Sequence, residues 1–122
     1  MSRIKGTDTL PEKRVRSLLH LMGYRFRLHY AALPGKPDIV LPRHRKVVFV
    51  NGCFWHGHTC RRGALPETNG EFWEAKISKN KKRDQRSIRQ LRKMGWSVLT
   101  IWQCQTKDIE KLRAKILQFM NP

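Results

Sequence analysis

The segment Lys46-Val47-Val48-Phe49-Val50 constrains the fold more than any other part of the chain. Its apolar run is too short for a helix and rich in β-branched residues. It is also continuous rather than alternating, which marks a strand buried on both faces. Such a strand needs cover on each side, and an α/β architecture with a mixed sheet flanked by helices supplies it. Thr9-Leu10-Pro11-Glu12 has the form of a helix capping box, and Val15, Leu18, Leu19 and Met22 follow at helical spacing before Gly23 stops the helix. Residues 24–30 alternate apolar and polar side chains, predicting a strand with one buried face. Pro34-Gly35-Lys36-Pro37 ends it, and residues 38–41 and 46–50 are expected to pair as a hairpin through 42–45. After a loop at 66–70, residues 71–94 form a helix, with Ile77, Ile88, Leu91 and Met94 as its apolar positions and Gly95 as its terminator. Residues 96–102 give a fourth strand, with Trp96 and Trp102 in the core. Thr106 opens a last helix with Ile109, Leu112, Ile116 and Phe119 turned inward. The order is α-β-β-β-α-β-α, expected as one domain over 1–122 because a chain of this size builds one core.

Charge narrows the partner. The chain has 26 Lys+Arg against 9 Asp+Glu, a formal net charge of +17. Neutralising phosphates releases counterions, so nucleic acid is the expected polyanion. The apolar runs are too short to cross a bilayer and the first residues carry no signal-peptide pattern, so the expectation is a soluble intracellular protein with no membrane partner. Three cysteines cannot all pair within one chain, which favours thiols that hold a metal.

The metal-ligand chemistry is concentrated in Asn51-Gly52-Cys53-Phe54-Trp55-His56-Gly57-His58-Thr59-Cys60. Cys53, His58 and Cys60 are donors that tetrahedral zinc prefers, and Cys104 is the remaining cysteine to complete a closed structural set. Spacing alone leaves His56 or His44 as substitutes for any one ligand. The plainer reading is a group of buried cysteines with no metal.

Asp38 stands at a strand start, where its carboxylate would lie beside the end of the next strand at Val50. One carboxylate and a main-chain carbonyl suffice for magnesium when waters and phosphates fill its remaining positions. Turn capping explains Asp38 equally well. Glu12 closes the capping box on the plainer reading and Asp84 is a solvated helix residue; their functional reading requires both to point toward Asp38. Phe54, Trp55 and Trp73 are aromatics suited to insertion between base steps, or to packing over the core. Lys76, Lys79, Asn80 and Arg83, with Lys81, Lys82 and Arg86, form a cationic helix stretch nearly lacking acidic partners, which points to contact with a phosphate backbone.

Taken together, Pro34-Gly35-Lys36-Pro37-Asp38, Val50 to Cys60, Glu71-Phe72-Trp73, Lys79-Asn80, Arg83-Asp84, Met94-Gly95-Trp96 and Trp102-Gln103-Cys104 resemble the very short patch repair mismatch endonucleases of bacteria. The resemblance runs from about Thr7 to the C-terminus. It implies a restriction-endonuclease-like core and a structural zinc ion on Cys53, His58, Cys60 and Cys104. It also implies a catalytic magnesium at Asp38 and the Val50 carbonyl, Glu12 and Asp84 holding water, and His56 in proton transfer. The implied reaction is hydrolysis of one phosphodiester bond beside the thymine of a T·G mismatch left by deaminated 5-methylcytosine, with Phe54, Trp55 and Trp73 wedging the duplex. A monomer in the bacterial cytoplasm, associated with the nucleoid and served by accessory repair proteins, goes with that reading.

Two departures from the family pattern stand out. Asn51 takes a position where the family often has a His thought to assist catalysis, and Val50 replaces a polar residue while keeping its carbonyl. The arm that precedes Thr9 is expected to be short and to grip DNA less. Two other functions fit the same fold: a zinc-stabilised DNA-binding module without catalysis, and a nuclease acting on other DNA structures.

Overall fold

A computed structural model describes residues 9–28, 30, 32–53 and 69–121. Helix α1 (Leu10–Leu21) leads into β1 (Arg27–Leu28), β2 (Ile39–Leu41) and β3 (Lys46–Asn51), followed by α2 (Gly70–Lys93), β4 (Ser97–Trp102) and α3 (Ile109–Met120). The four strands form one sheet in the order β1-β2-β3-β4. The first three pair antiparallel and β3 pairs with β4 in parallel, so the sheet is mixed.

Alternation along the central strands assigns the two faces. Ile39 pairs with Val48 and Val48 with Leu99, and these residues pack with Val15, Leu18 and Leu19 of α1 and Leu112, Ile116 and Met120 of α3. Their neighbours Val40, Val47 and Val98 face the other way, toward Leu91 of α2, Leu33, Phe49 and Trp96. Val47 and Val48 are both buried, as a strand covered on each side requires. Each fully buried aliphatic side chain of this kind contributes about 1.5–3 kcal/mol.

Local chemistry sets the element ends. Thr9 Oγ1 accepts a hydrogen bond from the Glu12 N–H at 3.4 Å, which caps α1, and Gly23 follows that helix at φ +87°. The β2–β3 connection is a short 3-10 turn, Pro42–His44, followed by Arg45 at φ +55°. The Arg45 guanidinium donates to the Met94 carbonyl at 2.7 Å at the end of α2, and its centre lies 4.5 Å from the Trp96 ring centroid. Lys46 Nζ donates to the Phe119 and Met120 carbonyls of α3, at 2.6 and 3.2 Å. Two adjacent cations thus complement the C-terminal dipoles of helices on opposite faces of the sheet.

Four expectations need correcting. The alternating segment 24–30 yields a strand of only Arg27–Leu28, both exposed; Tyr24 and Phe26 are partly buried against the core, while Leu28 and Tyr30 remain exposed. Its partner β2 is itself only three residues long, so the ladder stops. The last helix begins after Asp108, whose Oδ1 accepts from the Glu110 and Lys111 N–H groups. Thr106 instead closes a 3-10 turn, Gln103–Thr106, by donating its hydroxyl to the Gln103 carbonyl at 2.9 Å. Finally, Ile109 and Met94 are 49% and 48% exposed, because each falls at a helix boundary beyond the apolar stripe. Trp96 and Trp102, expected in the core, are half-buried.

Candidate active site

The parallel pairing of β3 and β4 sends both strands out at one end of the sheet, with Asn51 opposite Trp102. Sheet ends of this kind leave polar groups beyond the strand termini and are common ligand sites in α/β folds. β2 runs antiparallel to β3, so its first residue lies at the same end. Asp38 precedes it, and Asp38 Oδ2 accepts the Val50 N–H at 2.7 Å. The carboxylate is thereby fixed against β3 just where the β2–β3 main-chain ladder gives out.

A cleft of about 850 Å³ opens there. Glu12, Asp38, Val50, Asn51, Arg83 and Asp84 all line it, so residues far apart in the sequence converge. Glu12 reaches it from the first turn of α1 and is only 3% exposed, despite being a glutamate. Arg83 and Asp84 reach it from α2, where Ser87 and Leu91, one helical turn apart, are buried and hold this part of the helix on the sheet.

The spacing between α2 and Asp38 depends on a glycine. At Gly35, with φ +75°, an added Cβ would lie 2.7 Å from the Ser87 Cβ and 2.9 Å from its Oγ. The turn therefore rests directly on the helix. Ser87 in turn donates to the Arg83 carbonyl at 3.1 Å. Lys36 follows at φ +49°, in the left-handed region that costs a side-chain-bearing residue roughly 1–2 kcal/mol. Its N–H is held by the Leu33 carbonyl at 3.1 Å, and Pro37 after it is buried.

Sequence reasoning missed Lys36, Ser87, Thr100 and Gln103, all of which line the cleft. Lys36 could have been found from its place between a glycine and a proline. Thr100 could have been found as a polar residue in the middle of an apolar strand, where it pairs with Phe49.

The remaining expected site residues divide into three groups. Trp73, Lys76, Lys79 and Asn80 lie on α2 before the cleft-lining turn; both lysines are exposed, and Trp73 and Asn80 are half-buried. The exposed Phe72 meets Trp73 edge to face, with ring centroids 5.1 Å apart and planes at 77°. Phe54, Trp55, His56, His58 and Cys60 lie outside the described residues. Of the four expected zinc ligands, fully buried Cys53 and half-buried Cys104 are described, each two residues beyond the paired strand ends Asn51 and Trp102. This places two thiols just beyond the paired ends of β3 and β4. Among the described residues no group of three or more His, Cys, Asp and Glu side chains is arranged to hold a metal ion.

The family model described as DNA mismatch endonuclease Vsr matches residues 1–62. A type II nicking enzyme of Xanthomonas oryzae, V.XorIIP, is 50% identical over 122 residues, covering 100% of this chain and 90% of that protein. The DNA mismatch endonuclease Vsr of Escherichia coli is 46% identical over 117 residues, covering 96% of this chain and 75% of its own. The chain belongs to the Vsr family of DNA mismatch endonucleases. Within solved structures it is similar to the catalytic domain of the homing endonuclease I-Bth0305I, with a TM-score of 0.63, 26% identity and coverage of 92% of this chain and 94% of that one. A Vsr-family chain is a nuclease, and its mixed sheet with flanking helices is shared with another DNA-cutting domain. Among the described residues, no helix is long and apolar enough to cross a membrane.

Proposed function

We propose that this chain is a magnesium-dependent endonuclease that nicks one strand of duplex DNA beside the thymine of a T·G mismatch. The observation that carries the proposal is the meeting of Glu12, Asp38, Asn51 and Asp84 with the Val50 main chain in one cleft at the end of the parallel strands. Three carboxylates in one cleft, in a protein of net charge +17, suit a cation-assisted reaction on a polyanion. Asp38 and the Val50 carbonyl would hold the magnesium, with Glu12 and Asp84 orienting water around it. When bound, the ion neutralises charge that develops on the scissile phosphate. Asp38 serves as a fixed anionic ligand because Val50 pins one of its oxygens. His56 would move the proton of the attacking water or of the leaving oxygen.

Binding follows from α2. Lys76, Lys79, Asn80 and Arg83 would track phosphates on the helix that also lines the cleft, so the scissile bond and the gripping surface share one support. Trp73, with Phe54 and Trp55, would enter the mismatched step. A wobble pair is easier to unstack than a matched one, so deformability supplies part of the discrimination. Cys53, Cys104, His58 and Cys60 would hold a structural zinc ion that ties the segment after β3 to the turn after β4. The reading takes 1–122 as one domain acting as a monomer in the bacterial cytoplasm, at the nucleoid, with accessory repair proteins downstream.

Asn51 supports a second reading, a DNA-binding module without turnover, because an amide cannot transfer protons as an imidazole does. The likeness to a homing endonuclease domain supports a third, cleavage of other DNA structures. One assay separates them. Purified protein is given matched and T·G-mismatched duplexes with and without magnesium. The proposal expects a single-strand nick only in the mismatched duplex with magnesium. Binding without nicking selects the second reading, and equal cutting of both duplexes selects the third.

A further inference from the structure

The turn that carries Asp38 into the cleft also carries a cation that the fold does not require. Lys36 lines the same cleft, is exposed, and has φ +49°. Glycine is the residue this backbone favours, and the following Pro37 further restricts position 36 toward extended conformations. The turn's geometry therefore gives no reason for a lysine. Nor does pairing: three carboxylates line the cleft, yet among the described residues no hydrogen bond or ion pair engages the Lys36 ammonium.

Its base is held firmly. Gly35 rests on Ser87 of α2, the Lys36 N–H is bonded to the Leu33 carbonyl, Pro37 is buried, and Asp38 is tied to Val50. The side chain thus springs from a fixed point two residues from the Asp38 carboxylate. Electrostatics gives it a task. Glu12, Asp38 and Asp84 repel a phosphate, and among the described lining residues only Lys36 and Arg83 carry a formal positive charge to draw one in.

We propose that Lys36 is a catalytic residue whose ammonium contacts a non-bridging oxygen of a DNA backbone phosphate inside the cleft, beside Asp38. The assignment rests on the nicking function proposed above. A cation beside a backbone phosphate stabilises the charge that develops there during cleavage. The left-handed backbone is then strain retained at a functional position.

The test compares the full chain with Lys36→Gly, which suits the backbone and removes the cation, and Lys36→Arg, which restores a cation. Three quantities are measured: the single-turnover nicking rate on the T·G duplex with magnesium, the salt dependence of affinity for a matched duplex without magnesium, and the melting temperature. For Lys36→Gly, nicking falls roughly 100-fold, as for loss of one donor to developing charge. The salt slope falls by about 0.9, the value of one phosphate contact, and the melting temperature equals or exceeds that of the wild type. Lys36→Arg recovers the slope and most of the rate. An unchanged slope overturns the proposal, as does an unchanged rate in a wild-type protein that nicks. A lowered melting temperature in Lys36→Gly, with no rescue by arginine, also overturns it, because Lys36 would then act only through the turn. If the wild type nicks neither duplex but the slope still falls, the nuclease reading fails while the phosphate contact stands.

Discussion

The two ends of the sheet handle charge in opposite ways. At the hairpin end, Arg45 and Lys46 spend their charges on helix carbonyls, at 2.7 Å to Met94 and 2.6 Å to Phe119. At the cleft end, Glu12, Asp38 and Asp84 stand together, with Asp38 receiving a main-chain N–H from Val50. Cations at helix C-termini are favourable neighbours, whereas like charges lining one cleft repel one another. The difference teaches that the charges capping helices and the charges proposed to react are separated by the length of β3, so stability and activity should respond to different substitutions.

The sharpest way to break that comparison is Asp38→Asn. It keeps an oxygen for the Val50 N–H but removes the charge, and nicking of the T·G duplex should fall by about 1000-fold, at the upper end for loss of one electrostatic contact. Thermal melting should hardly move. A large loss of stability with partial activity would mean that Asp38 serves the fold instead.

Gly35→Ala comes next, since its Cβ would press on Ser87 from a positive-φ position. Unfolding in urea should show a loss of about 2 kcal/mol. The cleft is affected as well, so this variant should lose nicking rate even at temperatures where it remains folded. Unchanged kinetics in the folded variant would separate the turn from the site.

At the other end, Lys46→Met removes the cap on α3 and should cost about 1–2 kcal/mol by chemical denaturation. Arg45→Ala, at an exposed position, should cost about 1 kcal/mol or less. Both should nick at the wild-type rate when folded. If either slowed nicking without lowering affinity, the proposed division between the two ends would be wrong.

Elements governed by neighbours in sequence were legible in advance. Thr9, the apolar stripe from Val15 to Leu19 and Gly23 define α1 with no help from the rest of the chain. The run Val47–Val50 announced a strand covered on both faces, and the turn at Pro42 announced its hairpin. The strand at 24–30 was overestimated because alternation reports which side chains can face a core, not how long the partner strand is. The start of α3 was misplaced because Thr106 and Asp108 have the same capping chemistry, and only the 3-10 turn decides between them.

The cleft was legible in part. Asp38 beside Val50 followed from a hairpin and its register, which are local. Glu12 and Asp84 were visible only as alternatives to a cap and a solvated helix residue, because their approach depends on how α1 and α2 pack on opposite faces. Lys36 stood inside the Pro34–Asp38 motif without a role of its own; its interest lies in a backbone angle. The contact between Gly35 and Ser87 was likewise hidden, since it joins a turn to a helix far along the chain.

That contact has a wider consequence. Where a bare Cα sits against a serine, there is no slack to absorb a change in either partner, so the calibre of the mouth is gauged by two of the smallest residues available. Tuning the enzyme for a bulkier or slimmer cargo would therefore start at Ser87, an uncharged residue that sets how closely the turn approaches the helix.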